Sequence, residues 1–536
     1  MIFSLLSILS IASPFQHLSP TDFLSTTTQP HRSALSEIVR GKTVQSETAL
    51  GETVQGETVQ SQIAPSQIAP SQMAQSQIAL REDEIVTIAQ EVRSLPGRLD
   101  TVPVFNSNSP EIIESNGILL STFPPRGKSS PSAHLNYLLS GRFDIFSHHV
   151  ARGQNDRDDR TVYEGIIVHN PNDREITLSV REGASYISQE SPWNEIASGT
   201  SNLYSNNFSG PGSRVVNDVL RDRRHAALPR QVTIAPRTTH LLLNAPIPLR
   251  RLNVPTDGTH PPSSLITPPP RNVSSGEGPR LNGRSTLMRV HSSGPVYVAS
   301  LAMHAPQVNG NERVPTLDEW KQLLFKGQLS EPRDLPPSRP GSRTNPFRYG
   351  RVSGISQGSQ WRATLTDRNR DQLAIPRAGE QFSYGISTLE RNTFGTGQIQ
   401  SAPILARYQD TAYRSNGNYG VEYNLTLPLQ NHTQSPQTVA LSMQTPIQND
   451  GLKDALQFYE RPKDRIFFRG TVLFVYKEDD GRSRAAFAYL EQNRGQQGQP
   501  LITMTLAPGE QRDVNVQFLY PPDATPPQVL TIGTLE

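Results

Sequence analysis

Apolar and polar residues alternate with a period of two along Val421–Leu429 (VEYNLTLPL). Val421, Tyr423, Leu425, Leu427 and Leu429 would share a core face, with Glu422, Asn424, Thr426 and Gln430 on the water side, which predicts a half-buried strand. Pro428 on the outward face predicts an edge strand or a strand end, because proline cannot donate to a ladder. After the turn-rich NHTQSPQ, Val439, Leu441 and Met443 alternate again, so the two runs predict a hairpin. Thr471–Tyr476 and Arg484–Leu490 flank the turn EDDG and predict a second hairpin. Leu501–Leu506 and Val514–Phe518 follow, joined through the turn signal Ala-Pro-Gly-Glu.

The same grammar occurs earlier in the chain. Tyr163–His169 (YEGIIVH) leads into Asn170-Pro171-Asn172-Asp173, after which Ile176, Leu178 and Val180 alternate. Val232-Thr233-Ile234-Ala235-Pro236 precedes Leu241–Leu243, as Met504-Thr505-Leu506-Ala507-Pro508-Gly509 precedes Val514 and Val516. Short strands at this spacing predict a sandwich or barrel, and the paired corners point to two related immunoglobulin-like sandwiches. One helix is marked by the capping box Thr316-Leu317-Asp318-Glu319, the apolar stripe Leu317, Trp320, Leu323 and Leu324, and the stop Lys326-Gly327. EPRDLPPSRPGSRTNP (331–346) reads as an interdomain linker, and the Pro-rich 246–280 as a long loop within the first domain. The expected organisation is therefore a mainly β chain with domains over 85–330 and 347–536 and one short helix.

The N-terminal region departs from this pattern. Ile2–Ala12 is an apolar run too short to span a bilayer, followed by small residues, so residues 1–12 are expected to be a signal peptide, although no Lys or Arg precedes Arg32. Residues 41–80 form eight pentapeptides, from GKTVQ to SQIAL, whose period of five matches neither helix nor strand. A pentapeptide β-helix wants Leu or Phe at each central position, whereas this position holds Thr, Ile or Met. No aromatic residue lies between Leu24 and Val104, so residues 13–84 are expected to be a disordered tether.

Composition narrows the function classes. The 51 Lys and Arg nearly balance 49 Asp and Glu, which argues against a dedicated nucleic-acid binder. A 35% hydrophobic content and the lack of long apolar runs after the first 12 residues argue against a transmembrane segment in the mature chain. With no cysteine there is no disulfide, thiolate metal site or cysteine nucleophile.

Candidate chemistry is sparse, and no cofactor motif is found. Gly354-Ile355-Ser356-Gln357-Gly358 fits the nucleophile-elbow pattern, but no helix pattern follows the serine. His148 and His149 would point to opposite faces of a strand and so cannot chelate one ion. Asp156, Asp158 and Asp159 are calcium candidates, with Arg157 and Arg160 beside them as internal counter-charges. Arg221, Arg223 and Arg224, with Arg214 and Arg230, form the one basic cluster, diluted by Asp218 and Asp222; a plain solvated loop is the first reading, and an anionic envelope polymer or headgroup suits it better than nucleic acid, for want of interleaved aromatics. Trp193 and Trp361 read first as core or corner residues, with sugar platforms on a sandwich face as the alternative. Asp144, Glu164, Asp158 and Asp159 are the carboxylates a glycan hydrolase could draw on.

EVRSLPGRLDTVPVFNSNS (91–109), EIIESNGILLSTF (111–123), AHLNYLLSGRFDIFSHHVA (133–151), TLDEWKQLL and FLYPPDATPPQVLTI resemble a cyanobacterial family of exported proteins of unknown function, over about 85–536. The resemblance implies a cyanobacterial origin and export, and transfers no catalytic residue. The expected function is structural or adhesive, in the periplasm, at the cell surface or secreted, with envelope polysaccharide or another envelope protein as partner. The alternative is a carbohydrate-active protein, either a polysaccharide-binding module or a glycan hydrolase.

Overall fold

The computed structural model describes residues 84–155, 157–191, 211–249, 281–452 and 454–536. The expected signal peptide, the repeats, Asp156 and Trp193 lie outside the described residues. The chain is mainly β. In its first half the principal strands are β1 (Pro103–Ser107), β2 (Gly117–Ser121), β3 (Leu139–Arg152), β4 (Thr161–His169), β5 (Ile176–Ser191), β6 (Gln231–Ile234), β7 (Thr239–Pro248) and β8 (Leu281–His304). The second half contributes β9 (Ser353–Gln357), β10 (Gln360–Thr364), β11 (Gln381–Ile386), β12 (Glu422–Gln430), β13 (Gln437–Gln444) and β14 (Lys463–Lys477). It ends with β15 (Ser483–Arg494), β16 (Ile502–Leu506), β17 (Gln511–Leu519) and β18 (Gln528–Thr534). The loop expected from residue 246 starts later, because Pro246–Pro248 still pair with Thr161–Tyr163.

In the first half, β8 belongs to two layers. Residues 281–292 pair with β3 and β5, the register shifts between Ser292 and Val296, and residues 297–304 pair with β4. Phe143 and Ile145 of β3, Ile166 and Val168 of β4 and Leu178 of β5 meet in the core between these layers. In the second half, one sheet runs β15-β14-β17-β12-β10 and the other β11-β18-β13-β16, with a core of Tyr423, Leu425, Leu441, Val516, Phe518 and Ile532 between them.

The core face of Val421–Leu429 is buried as expected, but Glu422 and Gln430, expected on the water side, are buried too, Glu422 accepting from Arg289 and Gln360 and Gln430 donating to the Gly509 carbonyl; the hairpins divide. Tyr476 pairs with Arg484 and Thr471 with Tyr489, as expected of the second hairpin. The first is corrected: β12 pairs with β17 and β10 while β13 pairs with β18 and β16, so 431–436 crosses from one sheet to the other. Pro428 is not on an edge strand. Its antiparallel neighbour is Asp513, and on the parallel side β10 has ended at Thr364 while the next partner begins at Leu373 opposite Leu429. The missing N–H therefore falls where the ladder is already interrupted.

The paired corners share one hydrogen-bonding device. Asn170 and Asn431 are both fully buried. The Asn170 amide donates to the carbonyls of Ile234 (2.9 Å), Ala235 (3.1 Å) and Arg174 (2.8 Å), while its Oδ1 accepts from Asn172 N–H (2.9 Å). The Asn431 amide donates to Leu506 (3.0 Å), Ala507 (3.2 Å) and Ser435 (2.9 Å), and its Oδ1 accepts from Thr433 N–H (2.9 Å). Each asparagine thus ties the chain crossing between layers to the opposite corner. Strand order repeats as well, since β4–β7 and β5–β6 pair in the first half as β12–β17 and β13–β16 do in the second.

Two α-helices are described where one was expected: α1 (Pro211–Leu220) and α2 (Leu317–Lys326). The capping box at Thr316 and Glu319 is formed as expected, and Trp320 and Leu324 bury against the sheet. Proline suits the first turn of α1, where its missing N–H is no loss, and Val215, Val216, Val219 and Leu220 bury on one face. Its ten residues and β-branched valines give a weak helical signal, which is why the sequence reading passes over it.

The described residues belong to one compact unit, Ile78–Glu536, and the halves flanking 331–346 share a sheet. β1 runs parallel to β3 and antiparallel to β9, placing Phe105 between Ile145 and Ile355. Both Asn170→Ala and Asn431→Ala are expected to lower unfolding free energy by about 2–3 kcal/mol, since each leaves buried carbonyls without donors. Urea titration of the two variants checks this, and a loss under about 0.5 kcal/mol would remove the corners from the architecture. At Gly165 an added Cβ would lie 2.5 Å from Cε2 of Trp320, so Gly165→Ala should cost about 1–3 kcal/mol by overpacking, read from the same titration.

Candidate functional site

Helix α1 lies where the two halves meet. Val215, Val216, Val219 and Leu220 pack with Phe146 and Leu287 of the first half and with Leu473 and Leu519 of the second. The Asn217 Oδ1 accepts from Thr471 Oγ1 of β14 at 3.0 Å, and Ser213 N–H donates to Asp523 at 2.7 Å. The helix stops as Asp222 takes a left-handed φ of 55°, a conformation aspartate tolerates better than most residues. This turn places Arg221 and Arg223 on the rim of a cleft of about 570 Å³.

Six arginines line the cleft: Arg142 (β3), Arg181 (β5), Arg221, Arg223, Arg289 (β8) and Arg362 (β10). Against them stand, among the described residues, three lining carboxylates, Glu182, Asp222 and Glu422, and Arg223 also meets Asp218 at 3.5 Å. Arg289 reaches from the first half to Glu422 of the second at 2.6 Å, and Gln360 donates to the other oxygen of Glu422 at 2.9 Å. Arg142 donates to Ser359 Oγ at 2.9 Å. The guanidinium of Arg221 sits 3.7 Å over the Phe487 ring, which holds it flat against the wall. Arginine's planar fork matches carboxylate, sulfate and phosphate groups, so the chemistry of this lining suits an anionic group.

Of the residues singled out in the sequence, Arg221 and Arg223 line the cleft. Arg224 does not; it donates to the Leu228 carbonyl. Trp361 is 5% exposed, stacks on Tyr423 at 6.3 Å and donates to the Pro96 carbonyl at 2.8 Å, so it is a core residue rather than a sugar platform. Asp158 is clasped by Arg160 at 2.7 and 2.8 Å, and these hydrogen bonds hold its carboxyl down at about 2. Asp159 is exposed beside it. His148 and His149 point apart as expected, the first to Ser285 Oγ (2.7 Å), the second to Ser107 Oγ (3.0 Å) and the Pro110 carbonyl (2.8 Å). Ser356 is 2% exposed within β9, and Gly358 with a φ of 122° leads straight into β10, so no elbow forms there. Glu164 is buried in a different layer from Asp144 and accepts from Ser300 Oγ at 3.0 Å.

The sequence reading missed Arg142, Arg181, Arg289 and Arg362, each on a strand remote from the basic cluster in sequence. Their shared signal is an arginine on an otherwise core-forming strand, as at Arg289 between Met288 and Val290.

Beside the cleft, Asp144 is buried with its Oδ1 unpartnered. Burial pushes its carboxyl up from 3.8 to about 6, against the pull of Arg289 and Arg142. A raised carboxyl binds its proton more tightly in the folded chain. Its contribution is therefore whole below pH 3.8, falls away as pH rises toward 6, and stays lost above that. Relative to the parent, Asp144→Asn should gain on the order of 3 kcal/mol between pH 4 and 7 and then level off. Urea midpoints across that range measure it, and a difference independent of pH would contradict the shift.

Comparison with known proteins adds a family and no activity. No curated protein matches the chain. Among solved structures, Lac15 from a marine microbial metagenome is 10% identical, with 74% of this chain and 53% of that one covered and a TM-score of 0.10. The chain thus spans about half the length of Lac15. A putative secreted protein from Parabacteroides distasonis is 8% identical, with 84% and 99% covered and a TM-score of 0.13. Procruciferin, an 11S globulin from Brassica napus, is 9% identical, with 84% of each chain covered and a TM-score of 0.09. A family model matches residues 90–534, and the chain belongs to the family described as "Protein of unknown function (DUF3370)".

Proposed function

We propose that this chain is a non-catalytic binding protein of the cell envelope or its exterior, which holds an acidic polysaccharide in the arginine-lined cleft. An exported protein of cyanobacterial origin, with two immunoglobulin-like sandwiches and the repeats of 41–80 as a spacer, completes the proposal. The observation that carries it is the convergence of six arginines, from both halves, on one cleft that is lined, among the described residues, by three carboxylates. Guanidinium groups recognise carboxylate and sulfate in pairs, and a rim of one sign concentrates a polyanion from solution. A glycan hydrolase would need two carboxylates facing substrate about 5–9.5 Å apart. Asp144 and Glu164 are both buried, which favours binding over cleavage.

The full chain should be retained on an immobilised uronate or sulfated polysaccharide and released by salt, and should pass through neutral dextran. Arg223→Glu with Arg362→Glu alters exposed rim positions from the two halves and should weaken retention about tenfold or more. Equal retention of parent and variant, or equal retention on dextran, would overturn the proposal.

A further inference from the structure

The outer face of the sheet β15-β14-β17-β12-β10 begins in the arginine cleft and runs on beyond it. Read across paired strands, one row of this face is Phe487, Leu473, Gln517, Asn424 and Arg362, and all but Asn424 line the cleft. The next row lies two residues along each strand, about 7 Å away, on the side turned from helix α1. It consists of Ala485, Val475, Asn515, Thr426 and Thr364. Amides chain the two rows together. Asn515 Nδ2 donates to Asn424 Oδ1 at 3.0 Å and to Thr426 Oγ1 at 3.3 Å, and Gln517 donates to Asn515 Oδ1. The chain ends in an acceptor, Gln517 Oε1, and a donor, Asn424 Nδ2. Neither has a partner among the described residues, and neither is enclosed, since both side chains are only half-buried. Turning the amides over would exchange the two ends and still leave one donor and one acceptor.

We propose that this second row seats a neutral, hydroxyl-bearing sugar ring of the same polysaccharide whose acid group lies among the arginines. The ligand class is then a heteropolysaccharide with acidic residues spaced by neutral ones, rather than a uniformly charged polymer; this rests on the reading of the cleft as a polysaccharide site. Charge separates the two subsites. No residue of the second row is ionisable, and the row after it sets Lys477 against Asp513. A carboxylate placed over the second row would lose water without gaining a guanidinium, whereas a ring hydroxyl would lose little. Ring hydroxyls, each both donor and acceptor, match the two ends of the amide chain and the exposed Thr364 hydroxyl. Val475, 38% exposed, and the exposed Ala485 offer low apolar ground to the C–H face of a ring. Gln517 belongs both to the cleft lining and to the amide chain, so the two subsites are continuous.

Isothermal titration of the full chain with charge-matched probes tests this: a hyaluronan tetrasaccharide against digalacturonate, and a gellan tetrasaccharide repeat against glucuronate. At least one tetrasaccharide, in which neutral sugars space the acids, should bind about tenfold or more tighter than its match. Asn424→Ala removes one end of the amide chain, and Val475→Asn replaces an exposed apolar contact without adding charge. Each should weaken that tetrasaccharide about threefold to tenfold and leave its match within about twofold. Should the Asn424 variant fail to fold, the Val475 variant decides. The Arg223→Glu, Arg362→Glu double variant should weaken every probe. Equal affinity within both pairs, or face variants that change nothing or weaken both members alike, would overturn the spaced-charge reading and leave the arginine cleft standing. Failure of all four probes to bind would overturn the reading of the cleft and this one with it.

Discussion

Five residues, Pro103–Ser107, hold the two halves of the chain to one another. They are hydrogen-bonded on one side to Asp144–Ser147 in parallel and on the other to Ser353–Gln357 in antiparallel register. A strand paired on both edges has no freedom to slip, because a shift of one residue would turn Phe105 out of the core and Asn106 into it. The register of this strand therefore sets where strand 139–152 meets residues 415–422. The arginine cleft lies along that seam.

Helix 211–220 completes the junction by a different force. Its valines and Leu220 bury against side chains of both halves, and at about 25 cal/mol per Å² such burial is favourable without being directional. Direction comes from polar contacts: Asn217 to Thr471, Ser213 to Asp523 and Arg289 to Glu422. Removing one partner of the largely buried Arg289–Glu422 pair would strand the other charge. The cleft is thus fixed by the same contacts that join the halves.

The two halves also repeat a solution to one problem, how a chain can leave one sheet for the other without abandoning its carbonyls. Asn170 and Asn431 each supply a buried amide at the crossing. Buried polar hubs of this kind carry a penalty when incomplete, which ties the corner to a single geometry.

Sequence alone determined what is local. Alternation at Val421–Leu429 identified the buried face, the capping box located helix 317–326, the recurrence of Asn170 and Asn431 before similar runs marked the corners, and Arg221 and Arg223 stood out as a basic cluster. These signals depend on a residue and its near neighbours. Tertiary structure alone decided partnership. Period-two patterning reports which face of a strand is buried and is silent on which strand lies beside it, so residues 422–430 and 437–444 look like a hairpin and belong to opposite sheets. Trp361 reads as a core residue or a sugar platform from sequence, and its stacking on Tyr423 decides for the core. Arg142, Arg289 and Arg362 reach the same cleft as Arg221 because Pro103–Ser107 pairs with strands on either side of it, and contacts between residues so far apart leave no periodic trace in the chain.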